Sequence, residues 1–206
     1  MENGYGHLES ALRQEGFYLP AGVDEVGRGP LAGPVVAAAC ILPNNVPIKG
    51  IRDSKALTPQ SRRRLFWKII AHSRVGIGIV SEQEIDRINI LQASLIAMRE
   101  AVLALSVTPD LLLVDGHLKI DLPIPQMPVI GGDAKIVSIG AASIVAKVTR
   151  DEMMVDYDLK YPHYGFKFHK GYPTDAHMTA LEEFGPSPIH RLSFRPVARF
   201  NQTAEA

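Results

Sequence analysis

Nine consecutive residues, Pro34 to Leu42 (PVVAAACIL), carry no charge and no polar group beyond one thiol. Successive strand side chains point to opposite faces, so a run of this kind reads as a nearly continuous buried strand. A shorter strand signal precedes it at about 20–26, ends in the adjacent acids Asp24 and Glu25, and runs into Gly27-Arg28-Gly29. A third, RVGIGIV at 74–80, alternates and sets Val75, Ile77 and Ile79 on one face. Three successive strands suggest an antiparallel meander.

Helical signals follow. Residues 7–15 fit a short helix. In TPQSRRRLFWKIIAH, Thr58 is a good N-cap and Pro59 suits the first helical position. Ser81-x-x-Glu84 resembles a capping box. Asn89 opens a longer helix whose stripe of Leu91, Leu95, Met98, Val102 and Leu105 reads as core. DLLLVD, 110–115, is a short buried strand, and PQMPVI, 125–130, is another. A long helix is expected from about Gly140 to Tyr161. Thr174 caps a further one, with Gly185 and Pro186 ending it. The order points to a mixed α/β sheet covered by helices, in a single domain over 1–206 with a helical extension from about 160.

A chain of 206 residues with 46% hydrophobic content is ample for one core. Net charge is zero, so steering by the whole molecule toward nucleic acid is not implied. Lys160–Arg199 nonetheless holds six Lys/Arg against three Asp/Glu, with four histidines. The single Cys40 excludes an internal disulfide and a cysteine-rich zinc site. No apolar run is long enough for a membrane span, and the polar N-terminus is no signal peptide. The expectation is a cytoplasmic monomer.

Asp24 and Asp115 each end a strand signal, and Asp133 sits in GGDAK between the last strand and the long helix. Ligands gather outside the carboxyl ends of parallel strands. If those strands are neighbours, Asp24, Glu25, Asp115 and Asp133 converge at one sheet edge. Oxygen donors without cysteine favour Mg²⁺ or Mn²⁺ over zinc. Adjacent strand residues face opposite ways, however, so to share an ion with Asp24 Glu25 has to reach round the strand end or act partly through its backbone carbonyl. GAASIVA lacks a nucleophile elbow, and GRGPLAG is no P-loop.

These blocks together resemble the ribonuclease HII family, the type 2 ribonucleases H. The likeness runs through GVDEVGRGPLAGPVVAAACIL (22–42), IRDSKALTPQSRR (51–63), LLLVDGH (111–117), GGDAKIVSIGAASIVAKVTRD (131–151), YGFKFHKGYPTDAHMTAL (164–181) and PSPIHRLSF (186–194). It implies a ribonuclease H-like mixed sheet flanked by helices. It also implies an endonuclease that cuts the RNA strand of RNA–DNA hybrids and incises 5′ of single ribonucleotides in duplex DNA, leaving 3′-hydroxyl and 5′-phosphate ends. By likeness Asp24, Glu25, Asp115 and Asp133 match the acidic metal-binding set. Gly27, Arg28 and Gly29 match the segment that senses the ribose 2′-hydroxyl, and Tyr172 the tyrosine that packs against the sugar at the junction.

Hydrolysis by two divalent ions needs one to activate water and one to stabilise the leaving oxygen. Asp24 is the candidate bridging ligand, with Asp115 on the first ion and Glu25 and Asp133 on the second. Lys55, Lys147, Arg150, Lys170 and Arg191 are expected to reach phosphates, and Ser143 and Ser193 to donate to them. The alternatives are another nuclease of the same fold, either the sister ribonuclease H type or a junction resolvase, and a duplex-binding module with a degenerate site.

Overall fold

The computed structural model describes residues 7–43, 50, 51 and 57–201. Its strands are β1 (Pro20–Val26), β2 (Val35–Ile41), β3 (Arg74–Val80), β4 (Leu111–Asp115) and β5 (Gln126–Val129). They form one sheet in the order β3-β2-β1-β4-β5. The first three make the expected antiparallel meander, and β4 and β5 continue it in parallel from β1.

The apolar run of β2 is buried at every position because both faces of the sheet are covered. Val35, Ala37, Ala39 and Ile41 pack toward α4 (Ile90–Leu103), while Val36, Ala38 and Cys40 pack toward α5 (Val137–Lys160) and α2 (Pro59–His72). Burial in that second core pushes the Cys40 thiol pKa upward, so the thiol is inert at neutral pH.

Helix starts follow the expected caps. Thr58 Oγ1 accepts the Ser61 N–H at 3.2 Å, and Asn89 Oδ1 accepts those of Leu91 and Gln92. Ser81 Oγ caps α3 (Glu82–Ile88) by accepting the Glu84 N–H, but the Glu84 carboxylate turns to Arg87 instead of closing the box. α5 begins at Val137, three residues before the expected Gly140. Buried Glu9 on α1 (His7–Gln14) explains the earlier start: Oε1 accepts the Ser138 N–H at 3.0 Å and the Ser138 hydroxyl at 3.1 Å. A carboxylate there also meets the positive end of the helix dipole.

The stripe on α4 is only partly core. Its deepest contact is made by Ala93, Ala97 and Ala101, because β3 presents Gly76 and Gly78 to it. Ile79, on the other face of β3, is 48% exposed, and Leu91 is 38% exposed. Small residues on both sides let the α4 and β3 backbones touch. Gly22 performs the same service between β1 and α5, since a methyl there would overlap the backbone of Ser138 and Ile139.

Beyond α5 the chain folds back as a 3₁₀ turn (Pro162–Tyr164), α6 (Phe166–His169), α7 (Asp175–Phe184) and α8 (Arg195–Asn201). Tyr164, Phe166, Ala180 and Ile189 pack with Ala32 and Met154 in a separate small core. Among the described residues no helix is long and apolar enough to cross a membrane.

Gly22→Ala should cost about 3 kcal/mol or more, because neither backbone can yield without unpacking the sheet. Urea unfolding measures this. Stability equal to the parent would show that the β1–α5 contact is looser than described.

Candidate active site

The parallel register Val23↔Val114 sets Asp24 and Asp115 side by side, at the carboxyl ends of adjacent strands. Asp24 is 5% exposed and lies on the α5 face, where its carboxylate accepts the Ser143 hydroxyl and, at 2.8 Å, the Glu25 N–H. Asp115 accepts the Gly132 N–H at 2.7 Å. That bond ties the end of β4 to the 3₁₀ turn Gly132–Ala134, which holds buried Asp133. Glu25 obeys strand alternation and faces the other way. With Arg28 and Asp115 it borders a cleft of about 110 Å³ whose wall includes Leu91, Leu95 and Met98. The N-terminal part of the expected core stripe therefore lines this cleft.

Burial raises the Asp24 pKa well above the usual carboxylate range, and the charges of Glu25 and Asp115 raise it further. Burial raises that of Glu25 too, against the opposing pull of Arg28, whose Nη1 lies 3.3 Å from Glu25 Oε1. Three carboxylates thus crowd one another at the sheet edge. Among the described residues no three His, Cys, Asp or Glu side chains surround a single point as metal ligands. The donor set is nevertheless all oxygen, and Arg28 offsets part of its negative charge through the ion pair with Glu25. Such a set fits a hard divalent cation.

The Gly27–Pro34 loop beside these acids is held by two arginines with no exposed surface. Arg150 donates from Nε to Pro34 O, from Nη1 to Lys170 O and from Nη2 to Ala32 O. Arg191 donates from Nε to Gly33 O, from Nη1 to Arg28 O and from Nη2 to Gly27 O and Gly33 O. The sequence-based expectation that these arginines reach phosphates is corrected: their donors are spent on backbone carbonyls inside the fold. Gly27 (φ +99°) has to be glycine, since a methyl would strike the Arg150 side chain and Pro34 O.

Tyr172 is 43% exposed. Its ring edge lies 3.5 Å from where a methyl on Gly29 would sit, so ring and loop share one surface. The turn carrying it is fixed by Leu31 N–H on Gly171 O at 2.8 Å and by a chain of histidines. Ser187 N–H donates to His190 Nδ1, which leaves His190 Nε2 to donate to His177 Nε2 at 3.0 Å. His177 Nδ1 then donates to Tyr172 O at 2.9 Å. Every bond is satisfied with both rings neutral. Burial lowers the pKa of His177 to about 4 and of His190 to about 3. These two histidines are thus structural, and no metal-holding group of three His, Cys, Asp or Glu side chains occurs among the described residues.

Of the other expected contacts, Lys147 lies one turn beyond Ser143 on α5 and pairs with Asp151. Lys170 folds its ammonium onto Lys167 O. Ser193 is engaged by Asp86, which accepts its N–H and hydroxyl. Lys55 lies outside the described residues. The arginine clamp and the histidine chain were missed in the sequence. Arg191 meets carbonyls 158 and 164 positions away, a separation at which no local pattern operates.

The sequence profile of the Ribonuclease HII family matches residues 21–197. The chain belongs to the ribonuclease HII family. Ribonuclease HII of Geotalea uraniireducens is 52% identical over 199 residues, covering 96% of this chain and 92% of that protein. The solved ribonuclease H2 of Pyrococcus horikoshii superposes with a TM-score of 0.76 at 28% identity, covering 90% of this chain and 98% of that one. Bst-RNase HIII in complex with Mn²⁺ shares the fold, with a TM-score of 0.68 at 21% identity, covering 95% of this chain and 73% of that one. As a member of the ribonuclease HII family the protein is an endoribonuclease with ribonuclease H activity on RNA–DNA hybrids.

The raised Asp24 pKa has a consequence for stability. The fold binds its proton more tightly than the unfolded chain, whose value is about 3.9. Stability from this group is full below that pH and is lost as pH rises through the folded value. In chelator at pH 7, Asp24→Asn should therefore melt higher than the parent, by roughly 2–4 °C for each kcal/mol recovered. The gap should close as the pH falls. Equal or lower melting of the variant at every pH would contradict the repulsion described here.

Proposed function

We propose that the protein hydrolyses the RNA strand of hybrids with Mg²⁺ or Mn²⁺ held by Asp24, Glu25, Asp115 and Asp133. We also propose that it incises 5′ of single ribonucleotides in duplex DNA, leaving 3′-hydroxyl and 5′-phosphate ends. The observation that carries this is the meeting of crowded carboxylates with a bare backbone at Gly29. Gly29 has ordinary φ, and an added methyl would make only normal contact with Tyr172. The fold does not require glycine there, whereas close approach of a ligand does.

A divalent cation in this donor set would activate water and stabilise the leaving oxygen. The protein's own groups do the rest. Asp24 and Asp115 would hold the cation whose positive charge draws the reacting phosphate to the sheet edge. Ser143 orients the Asp24 carboxylate, and the Gly132 N–H orients that of Asp115. The Gly27–Gly29 backbone recognises the 2′-hydroxyl, which donates and accepts. Arg28, half-exposed beside Glu25, is placed for the adjacent phosphate, as is Lys147 one turn beyond Ser143. The exposed face of Tyr172 packs on the deoxyribose 3′ of the ribonucleotide.

Asp24→Asn and Asp115→Asn should each slow cleavage by roughly 10²–10³ while the fold survives. Gel assays on a single-ribonucleotide duplex, with Mg²⁺ and with chelator, test this; near-parental rates in both variants would refute the metal assignment. Tyr172→Ala should slow cutting at a single ribonucleotide about tenfold or more and should weaken the preference for a junction over continuous RNA. Tyr172→Phe should be mild. An equal slowing of both substrates, accompanied by a lower melting temperature, would make Tyr172 a packing residue.

A further inference from the structure

The Arg191 guanidinium takes the Gly27 carbonyl on Nη2 at 2.6 Å and the Arg28 carbonyl on Nη1 at 3.2 Å. Both peptides are trans, since the described chain has no cis bond. In a trans peptide the C=O and N–H point in opposite directions. The N–H groups of Arg28 and Gly29 therefore point away from Arg191, out of the protein. Neither has an acceptor among the described residues. Two successive outward donors form a small concavity that suits an oxygen atom of partial or full negative charge. Tyr172 borders it through Gly29.

We propose that Arg191, with Arg150, is the positioning residue that gives this enzyme its sugar selectivity, by turning the Gly27–Arg28 and Arg28–Gly29 peptides so that both N–H donors face the substrate's 2′-oxygen. The proposal rests on the reading of Gly27–Gly29 given above and deepens it. Arg191 serves through geometry and touches no substrate. A planar guanidinium reaches Gly27, Arg28 and Gly33 at once, which a single ammonium point cannot do. Arg150 locks the other side of the same loop and, through Lys170 O, the start of the turn that carries Tyr172. Neither arginine has a carboxylate within ion-pair distance among the described residues. Burial lowers their pKa values to about 10 for Arg150 and about 9 for Arg191, so both remain charged at neutral pH. The positive charge of Arg191 lies on the carbonyl side of both peptides and reinforces the pull of their donors on oxygen. Stability alone does not account for such an arrangement, because burying a charge with no carboxylate in direct contact is costly.

The test compares binding of one duplex carrying a single ribonucleotide with binding of the same all-DNA duplex, in Ca²⁺ to suppress cutting. The ratio of the two dissociation constants reads sugar selectivity, and melting temperatures are recorded alongside. Arg191→Lys should reduce the ratio about tenfold, the size expected for one or two lost hydrogen bonds, with all-DNA binding unchanged. If both affinities fall together, Arg191 only supports the fold and the proposal fails. Gly29→Ala decides the matter if Arg191→Lys does not fold. The fold accommodates its methyl, so melting should stay at the parental value while the ratio falls. A preserved ratio in Gly29→Ala would overturn the proposal. A parent protein that neither prefers nor cuts the ribonucleotide would instead refute the proposed function.

Discussion

The parallel pairing of β1 with β4 is the constraint on which the rest depends. It abuts the Asp24 and Asp115 carboxylates at adjacent strand ends, and Glu25 follows at once on the other face. Burial and the neighbouring charges of Glu25 and Asp115 raise the Asp24 pKa, and that repulsion works against folding. The surrounding structure limits this without removing it. Ser143 and the Glu25 N–H serve Asp24, the Gly132 N–H serves Asp115, and Arg28 serves Glu25. A sheet optimised for stability alone would carry apolar residues at these ends. The residual repulsion is the physical basis for reading the edge as a place for a cation.

A second charged device lies a few ångströms into the fold and has the opposite sign. Arg150 and Arg191 are wholly buried, and the hydrogen bonds they make among the described residues go to main-chain carbonyls of the Gly27–Pro34 loop and of Lys170. The acids would hold the metal and the arginines would shape the backbone that reads the sugar. Cleavage and selectivity would then have separate supports, joined at Arg28, whose side chain pairs with Glu25 and whose carbonyl meets Arg191. The histidine chain from Ser187 to the Tyr172 carbonyl places the aromatic face on the same surface.

Much of this was legible in the sequence wherever the signal is local. The meander, the caps at Thr58, Asn89 and Thr174, and the strand-end position of Asp24 and Asp115 follow from periodicity and side-chain chemistry. The two-faced arrangement of Asp24 and Glu25 was also foreseeable, and the structure leaves Glu25 on the α4 face. What could not be read is set by distant partners. Leu91 and Leu95 share a period with buried Val102 and Leu105, yet they border a cleft because the glycines of β3 draw the alanine row of α4 inward. Arg191 looks like any basic residue in a basic stretch, and only the fold shows that it is buried. The early start of α5 likewise depends on Glu9, 129 positions away.

Diffraction from crystals of the protein soaked in Mn²⁺, with data at the manganese absorption edge, tests the central claim most directly. Anomalous density is expected within coordination distance of both the Asp24 and the Asp115 carboxylates, and is lost in Asp24→Asn crystals. Manganese density confined to other sites, with none between those two carboxylates at saturating Mn²⁺, would contradict it.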